Sequence, residues 1–373
     1  MIKEITIKNF KSIHELKLKL GQFNVLIGEN GCGKTNILEA VALGAAAAAD
    51  KLDNEFLNSR GVRVTKPELM RAAFSTQSRD KEIYLEFIGD NDYSEEFFLM
   101  NDNRPYSAWY VRGKDRLFEK TFKQIINEET LKEEYKTQLD ESIIEKIKKR
   151  VIYTELPRFI IYSPENTTLR VFEREGQILP LGIKGEGLFK LIKNLFLAED
   201  KAPIEEIKEN LKLIDWFEDF QLPETSAPNE FMLKIKDRFL DMQMNQFDQR
   251  SSNEGFLSLL FYLGLFISAD TPSFFAIDNV EASFNPKLCV EVSKTLIRLA
   301  RAKNKQVIVT TQNPSILDGI NLHNPDERLF VIKRNTMGHT TSRRITNKPD
   351  TQTSVKLSEA WTRGYIGGLP KNF

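Results

Sequence analysis

Apolar and polar residues alternate through IKEITIKNF, Ile2 to Phe10, with the two-residue period of a strand that buries one face. The same reading predicts strands around 16–20 and at 22–27, where Phe23, Val25 and Ile27 lead into a glycine-rich turn. From about Lys34 a helix is expected. Its continuation AVALGAAAAA is too short and too rich in alanine to span a bilayer. Extended segments follow in KEIYLEFIG and EEFFLM. Between Phe118 and Val151 apolar residues recur at helical spacing amid many charges, which predicts an inserted helical arm. A strand at 158–163, inside the proline-bounded PRFIIYSP, restores a sheet pattern, and helices are expected at about 187–198 and 203–217. The stretch QLPETSAPNE reads as a turn-rich link. Beyond Phe231 the chain gives strand LKIKDRFL, helix GFLSLLFYLGLFISA, strand SFFAID, helix KLCVEVSKTLIRLARA and strand QVIVTT. Strands alternating with helices imply an α/β fold whose largely parallel sheet is covered on both faces. Residues 1–117 and 226–373 are expected to form one unit, with 118–225 inserted into it.

Composition narrows the class. The 373 residues are 41% hydrophobic and 28% charged, which is ordinary globular content and excludes a disordered chain. Lys plus Arg and Asp plus Glu number 53 each, so no net field advertises a polyanion-binding protein. Two cysteines, Cys32 and Cys289, exclude a disulfide framework, and three histidines leave little for a zinc site. Both features fit a reducing cytoplasm. The opening residues lack the apolar run of a signal peptide, and no membrane segment is indicated.

The strongest chemical signal is GENGCGKT, Gly28 to Thr35, a full match to the phosphate-loop spacing with a strand before it and a helix after it. In such a loop the backbone of Asn30, Gly31, Cys32 and Gly33 cradles phosphates. Lys34 reaches the outer phosphates of ATP, and the Thr35 hydroxyl is offered to magnesium. A second signal is FFAIDNVEASFNP. Four apolar residues end in Asp278, which would emerge at the carboxyl edge of the sheet as a magnesium ligand. Its neighbour is Asn279, an amide that hydrogen-bonds but accepts no proton at useful pH. Glu281, two residues on, and Gln312 in TTQNP are the other candidates for handling water. Gln312 would orient water without acting as a base.

With these motifs on the page, the chain resembles the ABC-type ATPases of the RecF, SMC and OLD branch, especially stand-alone OLD-like ATPases of prokaryotic antiphage defence systems. The segments that carry the resemblance are IKNFKSI, GENGCGKT, QRSSNEGF, FFAIDNVEASFNP and TTQNP. No Toprim nuclease domain is visible after Pro314. The resemblance implies an ABC/SMC-like P-loop NTPase head with a mixed sheet and an inserted helical arm or subdomain. It further implies that Ser251 or Ser252 is the signature serine that contacts ATP held by a partner head. Asn253 stands where a glycine is common. ASFNP, Ala282 to Pro286, resembles the loop that crosses the interface between heads. Asn279 and Gln312 stand where relatives often carry a catalytic glutamate and a switch histidine. Gln77 and Gln177 are both conceivable sensor glutamines.

The expected function is therefore an ATP-binding, slowly hydrolysing ATPase that forms a homo-oligomer through ATP-bound heads. Such a protein would sense infection or regulate a separately encoded effector, such as a nuclease or toxin. A RecF/SMC-like ATPase acting on DNA and a non-hydrolysing ATP-bound scaffold are the alternatives. The arm's ending EKIKKR suits nucleic-acid phosphates or a plain solvated helix face. The C-terminal stretch KLSEAWTRGYIGGLPKNF is expected to dock on the head or to present an aromatic anchor to an effector.

Overall fold

A computed structural model describes residues 1–90, 94–104, 107–113, 152–171, 178–223, 232–241, 246–347 and 355–369. The arm expected at 118–151, with EKIKKR, and Gln177 lie outside the described residues.

The chain begins with β1 (Ile2–Phe10), β2 (Ile13–Lys19) and β3 (Phe23–Ile27), then the helix α1 (Lys34–Ala48). After two short helices at Asn54–Ser59 and Pro67–Met70 come β4 (Ile83–Gly89), β5 (Ser94–Met100) and β6 (Tyr110–Val111). Together β2-β1-β4-β5-β6 form an antiparallel sheet. The predicted strand at 158–163 shrinks to β7 (Ile161–Tyr162), because a 3-10 turn at Ile152–Arg158 containing Pro157 precedes it.

Two helices, α2 (Leu188–Leu197) and α3 (Ala202–Leu211), lead to a small sheet of β8 (Phe217–Gln221), β9 (Lys234–Asp237) and β10 (Gln246–Asp248). The helix expected to reach residue 217 stops at Leu211, since Phe217 and Phe220 are buried as members of β8, which carries a register shift between Phe217 and Asp219. Then follow α4 (Glu254–Ile267), β11 (Phe274–Ile277), α5 (Pro286–Ala302) and β12 (Gln306–Thr310). The chain closes with β13 (Glu327–Arg334), β14 (Thr340–Ile345) and the short helix α6 (Leu357–Thr362).

The main sheet has the order β14-β13-β3-β12-β11-β7, parallel throughout except for the antiparallel β14. Period two divides its central strands between two cores. Phe274, Ala276 and Ile308 face α1 and the antiparallel sheet, while Phe275, Ile277, Val307 and Val309 face α4 and α5. This placement explains the alanine run. Helix α1 is enclosed between the two sheets, and a Cβ on Gly44 would stand 2.4 Å from the Phe87 ring. Only small side chains permit that approach.

The described part of the C-terminal stretch, 356–369, docks on the head. Ser358 donates its backbone N–H and hydroxyl to the two carboxylate oxygens of Asp318, and Trp361 and Ile366 are buried, whereas Tyr365 stays half exposed. Among the described residues no helix is long and apolar enough to cross a membrane.

Candidate functional site

Strand β3 ends in a loop whose glycines are required by geometry. Gly33 has φ 109°, and a Cβ there would lie 2.2 Å from Thr340 Oγ1 and 2.9 Å from Ser12 Oγ. No L side chain fits this position. The Lys34 ammonium lies inside the loop and donates to Gly28 O at 2.7 Å and Glu29 O at 3.0 Å. Asn30 and Gly31 form the exposed rim, while Cys32 is buried beneath them and its burial pushes the thiol pKa up. The β13–β14 hairpin steadies the loop from the side, with Arg334 Nε donating to Gly31 O at 2.9 Å and Thr340 Oγ1 to Cys32 O at 2.9 Å. Sequence reading missed this hairpin, although ERLFVIKR and TTSRRI flank the turn signal NTMG.

Asp278 follows β11 directly and meets the loop. Its Oδ2 accepts a hydrogen bond from Thr35 Oγ1 at 3.1 Å, and its Oδ1 accepts one from Thr310 Oγ1 at 2.5 Å. A hydroxyl and a carboxylate so placed are the hard oxygen donors that suit magnesium, and the glycine-rich loop with its lysine at the start of α1 suits phosphate. The residues present therefore fit a magnesium nucleotide.

The chain then turns sharply. Asn279 has φ 56°, a left-handed conformation that asparagine tolerates better than most residues, and its side chain is exposed. The turn brings Glu281 back toward the sheet, where Oε1 accepts from the Gln312 backbone N–H at 2.8 Å. Its Oε2 is buried and has no hydrogen-bond partner among the described residues. Burial first, and this carboxylate second, push the Cys289 thiol up to about 11 and the Tyr262 hydroxyl upward as well. Gln312 contributes its backbone here, and its side chain is exposed.

Ser251 and Ser252 belong to a different neighbourhood. Ser251 donates through both N–H and hydroxyl to Asp248 Oδ1, each at 3.0 Å, whereas Ser252 is buried and its hydroxyl has no partner among the described residues. Asn253 caps α4 by accepting from Phe256 N at 2.8 Å. Its departure from glycine thus has a local cause. The start of α4, the Ser283–Asn285 loop and Trp216 line a groove of about 640 Å³. Gln77 is exposed on a 3-10 turn.

One charged cluster escaped sequence reading. Glu39 on α1 is fully buried and accepts from Lys11 Nζ at 2.6 Å and from Arg63 Nε at 2.7 Å. Arg63 also reaches Asn36, the residue after Thr35. Its hydrogen bond to Glu39 raises the Arg63 pKa, while burial lowers that of Lys11. The available signal was a lone carboxylate within an apolar helix, which must find a partner.

Comparison with known proteins agrees with this geometry. A family model described as AAA ATPase domain matches residues 1–218. A second model, an AAA domain whose description carries the words AbiEii toxin and Type IV TA system, matches residues 221–318. An uncharacterized protein of Methanocaldococcus jannaschii is 35% identical over 113 residues, 29% of this chain and 50% of that one. The OLD nuclease of Thermus scotoductus is 42% identical over 43 residues, 12% of this chain and 8% of the nuclease. This chain thus spans half the length of the first relative and a small part of the second. Among solved structures, a crystal structure of an SMC head bound to the C-winged helix domain of ScpA matches over 92% of this chain and 97% of that one. Its TM-score is 0.56 at 15% identity. Likeness at that identity shows the fold, an SMC-like P-loop head.

Proposed function

Because the chain belongs to the AAA ATPase domain family, we propose that it binds ATP with magnesium, hydrolyses it slowly, and pairs through ATP-bound heads to control a separate effector in antiphage defence. ATP binding and ATPase chemistry come with family membership. Metal, pace, assembly and purpose are the finer reading.

The observation that carries it is the joining of Lys34, Thr35, Asp278 and Glu281 at one sheet edge. In this reading Thr35 and Asp278 hold magnesium, which when bound offsets charge on the phosphate oxygens. Lys34 leaves its loop carbonyls for the outer phosphates. Glu281 keeps Oε1 on the Gln312 N–H and offers Oε2 to the attacking water. Slowness follows from Asn279, whose amide accepts no proton where a second carboxylate would help. Ser252, whose buried hydroxyl has no partner among the described residues, directly precedes Asn253 in the lining of the groove at α4, and this supports a role at a partner's ATP. Antiphage defence rests on the short OLD nuclease likeness and the toxin wording of the second family model.

The test is ATP turnover and sedimentation, with and without ATP, for the native protein, Lys34→Ala and Glu281→Gln. Slow native turnover, lost in both variants, and ATP-dependent pairing lost only in Lys34→Ala are expected. Pairing that ignores ATP would overturn the assembly reading, and turnover stimulated by DNA without an effector would favour a repair ATPase.

A further inference from the structure

We propose that Thr310 is a positioning residue that sets both the magnesium carboxylate and the turn presenting Glu281; this rests on the ATPase reading above. The argument begins with register. Strands β11 and β12 are parallel, with Phe274 opposite Gln306 and Ile277 opposite Val309. One further step puts Asp278 beside Thr310. Period two turns both side chains to the face that Ala276 and Ile308 already share with α1, so the register aims the Thr310 hydroxyl at the carboxylate.

The hydrogen bonds then fix the hydroxyl in both senses. It accepts from the Asn279 N–H at 2.9 Å, and its proton goes to Asp278 Oδ1, since a carboxylate only accepts. The Thr310 carbonyl adds a third tie by accepting from the Val280 N–H at 3.2 Å. Residues 278 to 281 are thus fastened to residues 310 to 312 at four points, the last being Glu281 to the Gln312 N–H. Thr310 is fully buried, which keeps water from competing for these bonds. The adjacent Thr311 has a different task, bonding within its own turn to Asn313.

Asp278 consequently has a hydroxyl donor on each oxygen, Thr35 on one and Thr310 on the other. Thr35 is the group expected to turn to the metal. Thr310 then remains as the donor that holds the carboxylate plane. Through the Asn279 N–H it also supports the left-handed residue on which the position of Glu281 depends.

The experiment compares the native protein, Thr310→Val and Thr310→Ser. Valine keeps the shape and removes the hydroxyl; serine restores it. Three quantities are read: fluorescent ATP-analogue affinity in EDTA, Mn²⁺ affinity of the ATP complex by electron paramagnetic resonance, and kcat against KM. For Thr310→Val, metal-free nucleotide affinity should stay within about twofold, whereas Mn²⁺ affinity should fall about tenfold, as expected for a group that orients a metal ligand. Turnover should fall through kcat, and Thr310→Ser should recover both losses. Native-like Mn²⁺ affinity in Thr310→Val overturns the proposal. So does an equal loss of metal-free binding, or a failure of serine to rescue while its melting curve is native. A native protein that binds no nucleotide would instead overturn the ATPase reading itself.

Discussion

Lys305 lends itself to a quantitative test because it is a buried lysine that faces carbonyl oxygens. It is 4% exposed, and its ammonium donates to Ser268 O at 2.9 Å, Thr271 Oγ1 at 2.8 Å, Thr271 O at 3.0 Å and Pro272 O at 3.3 Å. Ser268 ends α4, so the charge also sits at the negative end of a helix. Replacing Lys305 with methionine leaves these carbonyls short of a donor, at about 1–3 kcal/mol each. Part of that loss is offset because the ammonium itself is buried at a cost. The net expectation at neutral pH is a loss of about 2–3 kcal/mol.

The pH dependence separates the two effects. Burial lowers the Lys305 pKa from 10.5 to about 8. Below pH 8 the lysine is charged in both folded and unfolded chains, so the burial penalty is fully present. Between about 8 and 10.5 the unfolded chain binds the extra proton, and stability rises with pH by about 3 kcal/mol in total. Urea unfolding of the native protein and Lys305→Met across this range, read by tryptophan fluorescence, isolates the contribution as a difference in which other groups cancel. A native-minus-variant difference that stays flat to pH 10.5 would refute the reasoning and show that the carbonyl cage holds the proton as well as water does.

Other outcomes are equally definite. Gly44→Val should destabilise the fold by about 1–3 kcal/mol, since overpacking against Phe87 outweighs the few tenths gained in helix propensity; chemical denaturation measures it. Glu39→Gln should cost about 2 kcal/mol, less than a fully buried pair because Arg63 is 65% exposed, and thermal melting at fixed salt would read it. Asn279→Gly should leave stability and ATP turnover near native, because glycine accepts φ 56° freely, whereas Asn279→Glu should lose about 1 kcal/mol. Loss of turnover in Asn279→Gly at native stability would mean that the amide side chain itself takes part in the chemistry.

The motifs proposed as the nucleotide half of the site can be read in the sequence because their signals are local. A phosphate loop needs its glycines, lysine and threonine within eight positions, and Asp278 stands out as the polar residue ending an apolar strand. What stayed hidden depends on register or distant pairing. Thr310 looks like any strand threonine until β11 and β12 are aligned, and Thr340 reaches Cys32 from 308 positions away. The conformation of Asn279 was hidden for another reason. Read as a chemical substitution, it also serves the backbone, and φ is not written in one-letter code. Element ends slipped where local signals competed, at Pro157 before β7 and at Phe217, which continues a helical pattern yet pairs as a strand.

The position of β3 has a consequence for how the protein is made. This strand lies in the middle of the main sheet, between β12 and β13, and the Asn24 side chain bonds to Val307 across 283 positions of sequence. At a synthesis rate of ~5–20 residues per second, β3 waits roughly 15–60 s on the ribosome with both of its edges unpaired. An apolar strand open on two sides is a template for wrong partners. Helix α1 covers one of its faces early, but pairing must await the last third of the chain. The phosphate loop is thus synthesised long before β12 and β13 and is fixed in place only with them. A nascent chain halted before β12 would carry that motif without a sheet to hold it, and would be a natural client for a chaperone.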